Sequence, residues 1–358
     1  MTITQDTLHD ILDSPQEAAK LANLIYVTDE HLTICRKKHG KGFRYCKNDI
    51  TIKSKPLLQR IKKLVIPPAW QDVLISEPEN GHLQAVGRDE KDRKVYLYHE
   101  NWNKLRNETK FLKLAAFANV LPQLRKKVDQ DLDAPEMTRR KVLALVIRLL
   151  EETHIRVGNA YYAKHNETYG LSTLRTRHVK TTESGIRFKF VGKKGKEHDI
   201  ALTDEKLIDL VNQCEDIPGW ELFQFYDENG NKDHIDSGMV NEYIHELSGD
   251  LFSAKDFRTW AATKIFFESL RDLGYVEDEK QNAKNLITAY DATAEGLGNT
   301  RSVCRDYYVH PVIPEAYQDG IITQSFDKLK DKSLRNRKNF SKTEQVIADM
   351  LNTYEVSI

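Results

Sequence analysis

The chain has 358 residues, 40% of them hydrophobic and 30% charged, and its formal net charge is zero. That composition excludes an intrinsically disordered chain, and no apolar run reaches the roughly 20 residues that a bilayer-spanning helix needs. What is left is a globular chain long enough for two domains.

Four scattered cysteines (Cys35, Cys46, Cys214, Cys304), with no Cys-x-x-Cys pair, fit free thiols better than a disulfide frame or a zinc site. The opening Met1-Thr-Ile-Thr-Gln-Asp6 lacks the basic and apolar segments of a secretory signal, so a cytoplasmic protein is expected. The zero net charge hides a separation of sign. Between Arg36 and Lys63 there are eleven Lys and Arg against one acid, Asp49, whereas Asp199 to Asp250 holds fourteen acids against two lysines. Such a separation creates a local positive field, unless the two stretches are merely solvated faces of opposite sign.

In chain order, the first hundred residues carry strand and turn signals: Gly40-Lys-Gly-Phe-Arg-Tyr45, the Pro67-Pro68 break before Ala69-Trp-Gln71, and Pro78-Glu-Asn-Gly81. Lys55 to Lys63 reads as a short helix with Pro56 in its first turn, and Lys94-Val-Tyr-Leu-Tyr98 as a strand. After Trp102 the pattern turns helical. A helix start is expected at Asp133-Ala-Pro-Glu136, followed by Val142, Leu145, Val146, Leu149 and Thr153 at three-and-four spacing, with Gly158 supplying its C-terminal turn. Residues 186–202 break this pattern: Arg187-Phe-Lys-Phe190 alternates, Gly192-Lys-Lys-Gly195 turns, and Glu197 to Ala201 returns as the second strand of a hairpin. Helices resume near Val240, at 254–273, 278–295 and 300–308, the last ended by Pro311, and Ser341-Lys-Thr-Glu344 is a capping box. The expected domains are therefore residues 1–100, β-rich, and 101–358, mainly helical.

Several catalytic constellations are missing: a phosphate loop, Gly-x-Gly-x-x-Gly, His-Glu-x-x-His, Gly-x-Ser-x-Gly, and the close carboxylate cluster of two-metal nucleases. Phosphodiester chemistry on this chain would then use side-chain cations, a side-chain nucleophile and a proton donor, with no metal or cofactor. Arg156 can offer two parallel donors to phosphate oxygens, Lys255 and Arg258 share a face if helical, and Lys193 and Lys194 sit at the tip of the hairpin. Taken singly, each also reads as an ordinary surface ion pair or turn residue, and Tyr308 beside Tyr307 as a core aromatic.

The order of the motifs is more specific than any one of them. Ile155-Arg-Val-Gly-Asn159, Phe190-Val-Gly-Lys193, Lys255-Asp-Phe-Arg-Thr-Trp260, Leu297-Gly-Asn-Thr300 and Tyr308-Val-His-Pro311 resemble the catalytic domain of bacterial, poxvirus-like type IB DNA topoisomerases. The likeness extends to Gly42-Phe-Arg-Tyr45, Ile66-Pro-Pro-Ala-Trp70 and Gly87-Arg-Asp89, and covers about residues 30 to 315.

The resemblance implies an α+β two-lobed clamp: a small β-rich N-terminal domain and a larger, mainly α-helical catalytic domain with an inserted β-hairpin, the fold shared with tyrosine recombinases. It implies relaxation of supercoiled duplex DNA through transient cleavage of one strand and religation, without ATP; because a clamp encloses DNA alone and no coiled-coil heptads appear, a monomer is expected. Tyr308 would be the nucleophile that forms a 3′-phosphotyrosyl link. Arg156 and Arg258 would hold the non-bridging oxygens. Lys193 would protonate the leaving 5′-oxygen, as a solvated lysine carries its proton at neutral pH, with Lys194 the alternative. Lys255 would be an auxiliary cation. Asn299 stands where the poxvirus enzymes carry histidine; its amide can donate a hydrogen bond but supplies no cation. Arg36, Lys37, Lys38, Lys41, Arg44 and Arg88 would contact phosphates, and Gln84 would reach base edges. The acidic stretch would face away from DNA or repel it from a wrong surface. Two other readings remain: a tyrosine recombinase, which usually carries His-x-x-Arg where this chain has Lys255-Asp-Phe-Arg258, and a DNA-binding protein with an inactive catalytic domain.

Overall fold

The computed structural model describes residues 14–354, together with the backbone of two short strands, Thr2–Ile3 and Val356–Ser357, which pair antiparallel. The chain divides into two compact units, Met1–Lys113 with Glu355–Ile358, and Leu114–Tyr354.

The N-terminal unit opens with α1 (Pro15–Leu21), capped by the Ser14 side chain accepting from Glu17 N. Strands β1 (Ile34–His39), β2 (Gly42–Lys47) and β3 (Ile50–Thr51) follow, then helix α2 (Lys55–Lys63) with Pro56 in its first turn. Strands β4 (Gln71–Ile75), β5 (Leu83–Arg88) and β6 (Lys94–Tyr98) complete one antiparallel sheet in the order β3-β2-β1-β4-β5-β6. Ile34, Val73, Ile75 and Ala85 form its buried face, and Ile61 of α2 closes over them.

Helix α3 (Glu100–Leu132) carries the chain onward, and the division between units falls inside it rather than at residue 100. The reason is local packing. Trp102 sets its indole edge against His82 at 4.7 Å between ring centroids, and Leu105 is buried, so the first turns of α3 belong to the N-terminal core.

In the second unit α4 (Arg139–Thr153) is the central helix. Val142, Leu145, Val146 and Leu149 are buried as their spacing predicts, but Leu143, Ala144 and Ile147 are buried too, so α4 is enclosed on nearly every side. Its start lies later than Asp133–Glu136: the N-cap is Thr138, whose hydroxyl accepts from Lys141 N. Its end lies earlier than Gly158, because His154 takes the left-handed cap conformation at φ 54°. Gly158, at φ 96°, serves a different purpose: its backbone lies against Gly170, where a side chain on either residue would collide.

After α5 (Ala160–Asn166), strands β7 (Val179–Thr182), β8 (Gly185–Val191) and β9 (Glu197–Leu202) form a three-stranded sheet in the order β9-β8-β7. The expected hairpin is its β8–β9 half, registered from Glu197 opposite Val191 to Leu202 opposite Ile186. Ile186 and Phe188 point into the core while Arg187 and Lys189 pair with Asp199 on the outer face.

Helix α6 (Glu205–Glu215), the small hairpin β10 (Gln224–Tyr226) and β11 (Lys232–His234), and α7 (Ser237–Ser248) carry the acidic stretch. Part of that acid is structural, since Asp204 and Asp236 cap α6 and α7. Then come α8 (Ala254–Leu273), α9 (Glu279–Leu297), α10 (Arg301–Tyr307), α11 (Val312–Gln318), α12 (Ile322–Lys330) and α13 (Lys342–Asn352), the last opened by the Ser341–Glu344 capping box.

One buried ion network joins four of these helices. Arg125 of α3 donates to Glu151 of α4 and to Glu344 of α13, each at 2.8 Å, and to the Asn339 carbonyl at 2.9 Å. Trp260 of α8 donates its indole N–H to the same Glu344 oxygen at 3.2 Å. Although burial opposes it, Arg125 and the Ser341 N–H hold the Glu344 carboxyl down to about 2.

Removing this charge leaves the largely buried Arg125 with Glu151 as its one carboxylate partner. Glu344→Gln is expected to lower the unfolding free energy by about 3 kcal/mol in denaturant titrations; a loss below about 1 kcal/mol, the level of an exposed pair, would contradict this account. Because the folded carboxyl binds its proton only near about 2, the unfolded chain takes up that proton first as pH falls. The contribution is therefore complete above the usual carboxylate range and lost towards about 2, and the variant should show a flatter acid limb.

Candidate active site

The site is assembled from the ends of α4 and α9, the start of α8, the end of α10 and the β8–β9 turn, all within the second unit. Arg258 is its buried centre, 4% exposed on the first turns of α8. Its Nη2 donates to the Leu297 carbonyl at the end of α9 at 2.9 Å, and its Nη1 donates to the His154 carbonyl at the cap of α4. Two helix C-termini, each with unsatisfied carbonyls and partial negative charge, thus receive one guanidinium. Among the described residues, no carboxylate forms an ion pair or hydrogen bond with Arg258. Burial first, then the neighbouring Arg156 cation, push its pKa down to about 10, against the opposing pull of the Tyr308 phenol.

Arg156 follows the α4 cap by two residues and is half-buried. Its Nη2 donates to Asn299 Oδ1 at 2.6 Å. Asn299 in turn is fixed by the end of α9: Gly298 takes the left-handed conformation at φ 62°, and both Gly298 and Asn299 donate backbone N–H groups to the Ala294 carbonyl. With Oδ1 held by arginine, Asn299 Nδ2 faces the buried Cys304 thiol and has no nitrogen or oxygen acceptor. Arg258 Nε is likewise a buried donor without an acceptor. Two cations side by side and two orphaned donors describe a place for an anion.

Tyr308 caps α10, with its ring centroid 5.8 Å from the Arg258 guanidinium carbon. Its backbone N–H donates to the Cys304 carbonyl at 3.0 Å, and its carbonyl accepts from Thr263 of α8 at 3.4 Å. Tyr308 is half-buried, whereas the neighbouring Tyr307 is exposed.

Arg156, Arg258, Asn299 and Tyr308 are thus brought together. Lys193 and Lys194 are exposed in the turn Lys193–Gly195, with Lys194 in the left-handed region at φ 65°, and neither touches that group. Lys255 is exposed in the first turn of α8 while Arg258 is buried, so their shared spacing does not give them a shared environment. The residue that sequence reasoning missed is His198 of β9. It stacks on Phe190 at 4.9 Å and lies against Gly192 and Gly298. Its only sequence signal was a histidine directly across the hairpin from Phe190.

The expected DNA contacts of the N-terminal unit separate into two groups. Lys38, Lys41 and Arg44 are exposed; Lys37 is exposed too but ion-paired with Asp49 at 2.7 Å. Arg88 is exposed and pairs with Asp92 at 3.3 Å. Gln84 is only 3% exposed, and its amide donates to the Glu79 and Gly81 carbonyls at 2.8 and 2.7 Å, so it braces its own turn and presents nothing to a base edge. Arg36 donates to the carbonyls of Ile66, Pro67 and Trp70 and stacks on Phe43 at 4.2 Å. It holds the Pro67–Pro68 corner against the sheet, which leaves its charge largely engaged inside the unit.

Comparison with known proteins agrees with the geometry. Residues 99–336 match the family described as eukaryotic DNA topoisomerase I, catalytic core, and residues 42–89 match the bacterial DNA topoisomerase IB N-terminal domain. The DNA topoisomerase 1B of Acanthamoeba polyphaga mimivirus is 32% identical over 330 residues, covering 88% of this chain and 97% of that protein. The DNA topoisomerase 1B of vaccinia virus (strain Copenhagen) is 25% identical over 270 residues, covering 74% of this chain and 83% of that protein. With its catalytic-core match spanning most of the sequence, the chain belongs to the type IB DNA topoisomerase family.

Proposed function

We propose that this topoisomerase relaxes supercoiled duplex DNA as a cytoplasmic monomer, by moving one phosphodiester from a 5′-oxygen to Tyr308 and back. The observation that carries the reading is the cluster of Arg156, Arg258 and Asn299 beside the Tyr308 ring, two cations and two buried donors without a nitrogen or oxygen acceptor. The Tyr308 phenolate attacks phosphorus, the P–O5′ bond breaks, and the phosphate remains as a 3′-phosphotyrosyl ester. Arg156 and Arg258 take the non-bridging oxygens and offset the charge that grows in the pentavalent transition state. Arg258 Nε and Asn299 Nδ2 are donors already desolvated and without a nitrogen or oxygen acceptor, so a phosphate oxygen would displace no protein hydrogen bond from either.

The departing 5′-oxygen needs a proton, and Lys193 supplies it. Lys193 rather than Lys194 suits this role because it directly follows Gly192, the turn residue seated against the site through His198. Religation is the reverse: the 5′-hydroxyl attacks the phosphotyrosyl ester and returns its proton to Lys193. Because the ester conserves the phosphodiester bond, no ATP is consumed, and torsion in the DNA drives rotation between the two steps. Lys38, Lys41 and Arg44, with Lys37 and Arg88 once their surface pairs open, hold the backbone in a sequence-independent way. Lys255 adds exposed positive charge on the catalytic unit.

Tyr308→Phe is expected to abolish plasmid relaxation while leaving duplex affinity nearly unchanged; relaxation at the parent rate would displace Tyr308 as nucleophile and turn attention to Tyr307. Lys193→Ala is expected to slow single-turnover cleavage by about 100- to 10,000-fold on normal DNA. On a substrate whose leaving 5′-oxygen is sulfur, which departs without a proton, most of that loss should vanish. A defect equal on both substrates removes Lys193 from the acid role.

A further inference from the structure

The general acid and the amide donor come from separate elements, the β8–β9 turn and the end of α9, and something must set the distance between them. The ring of His198 lies between the two glycines that precede them. A methyl group placed on Gly192 would lie 2.6 Å from His198 Nε2 and 2.7 Å from Cδ2. One placed on Gly298 would lie 2.8 Å from Cε1 of the same ring. Both are closer than real carbon contacts allow, so each glycine backbone is in direct contact with the imidazole. The ring face is fixed as well, stacked on Phe190 at 4.9 Å with only 14° between planes.

We propose that His198 is a positioning residue whose imidazole is the spacer between Gly192 and Gly298, and so fixes Lys193 relative to Asn299 and the phosphate. The inference rests on the assignment of Lys193 as the acid.

The chemistry of the spacer suits its surroundings. Arg156, Lys196 and Arg258 are the charged groups of the described residues that act on the ring. Burial, then these cations, hold its pKa down to about 4, so it stays neutral beside them. An aliphatic side chain of similar size would lack the flat edges that let two backbones approach it this closely. Gly192 has φ −98° and ψ −166°, a conformation open to any residue. Its lack of a side chain therefore answers to the imidazole and not to backbone strain.

The test is single-turnover cleavage by His198→Ala, Gly192→Ala, the double variant and Lys193→Ala, on normal DNA and on the 5′-sulfur substrate. Displacement of an acid by about 1 Å costs on the order of 100-fold, so His198→Ala should lose about that much on normal DNA. Most of the loss should disappear with sulfur as the leaving atom, with duplex affinity retained. Gly192→Ala removes no packing, yet it should show the same leaving-group-dependent defect, because its methyl group must push His198 aside. In the His198→Ala background the added methyl group finds room, so the double variant should be no slower than His198→Ala alone.

If Lys193→Ala recovers on sulfur but His198→Ala is equally slow on both substrates, the positioning role is overturned and the acid assignment stands. Additive losses in the double variant overturn it as well, since independent effects multiply. If Lys193→Ala itself fails to recover, the acid assignment falls and the inference falls with it.

Discussion

A buried guanidinium that lacks a carboxylate partner governs this molecule. Arg258 sits in the interior of the catalytic unit with its donors on the terminal carbonyls of two helices. Helix ends can hold a cation through partial charge, but they do not neutralise it as a carboxylate would. The consequence is a standing deficit of negative charge, deepened by Arg156 alongside. In the proposed reaction, a phosphate entering between them would complete a shell that the protein leaves incomplete. Binding and transition-state stabilisation then share one origin, because the charge deficit grows more favourable to the phosphoryl group as its negative charge rises.

The contrast with Arg125 shows that this is specific to the site. Arg125 is largely buried in the same unit, but two glutamates and a carbonyl meet it, and its pKa is raised rather than lowered. One arginine is a structural clasp among α3, α4 and α13; the other is a clasp whose last partner comes from outside. The two are not far apart in the framework. Trp260, two residues after Arg258 on α8, hydrogen-bonds Glu344, so the helix that presents the catalytic cation is itself seated on the neutralised network.

Much of this was legible beforehand, and the parts that were not share a cause. The bounds of α8, the β8–β9 hairpin and the α13 capping box follow from patterns within a few residues, where spacing and turn chemistry decide. Arg156, Arg258, Asn299 and Tyr308 were named from the order of motifs, and the fold brings them together. Gln84 and Arg36 were misjudged because a polar or basic residue in a basic stretch looks available to solvent. Only three-dimensional packing shows that backbone carbonyls of a nearby turn have claimed its donors. The α4 boundaries moved for a similar reason: Asp133 and Gly158 carry the right local chemistry, but Thr138 and His154 are the residues whose surroundings terminate the helix. His198 was invisible to spacing because its neighbours, Gly192 and Gly298, are more than a hundred residues apart in sequence.

The way the nucleophile's backbone is tethered has a mechanical side. Tyr308 hangs from a helix of one or two turns, but its main chain is tied on both sides of the ring: the N–H to Cys304, the carbonyl to Thr263, and the next N–H but one, that of His310, to Thr263 again. Thr263 lies on α8, five residues beyond Arg258. In the proposed mechanism, torque on a strand esterified to Tyr308 would pull on that phenolic oxygen, and the Thr263 contacts would link the tyrosine's backbone to α8. The helix that takes the load also carries the arginine facing the phosphate. Under that mechanism, force on the swivelling duplex would displace Tyr308 and Arg258 together and keep their spacing for the return step.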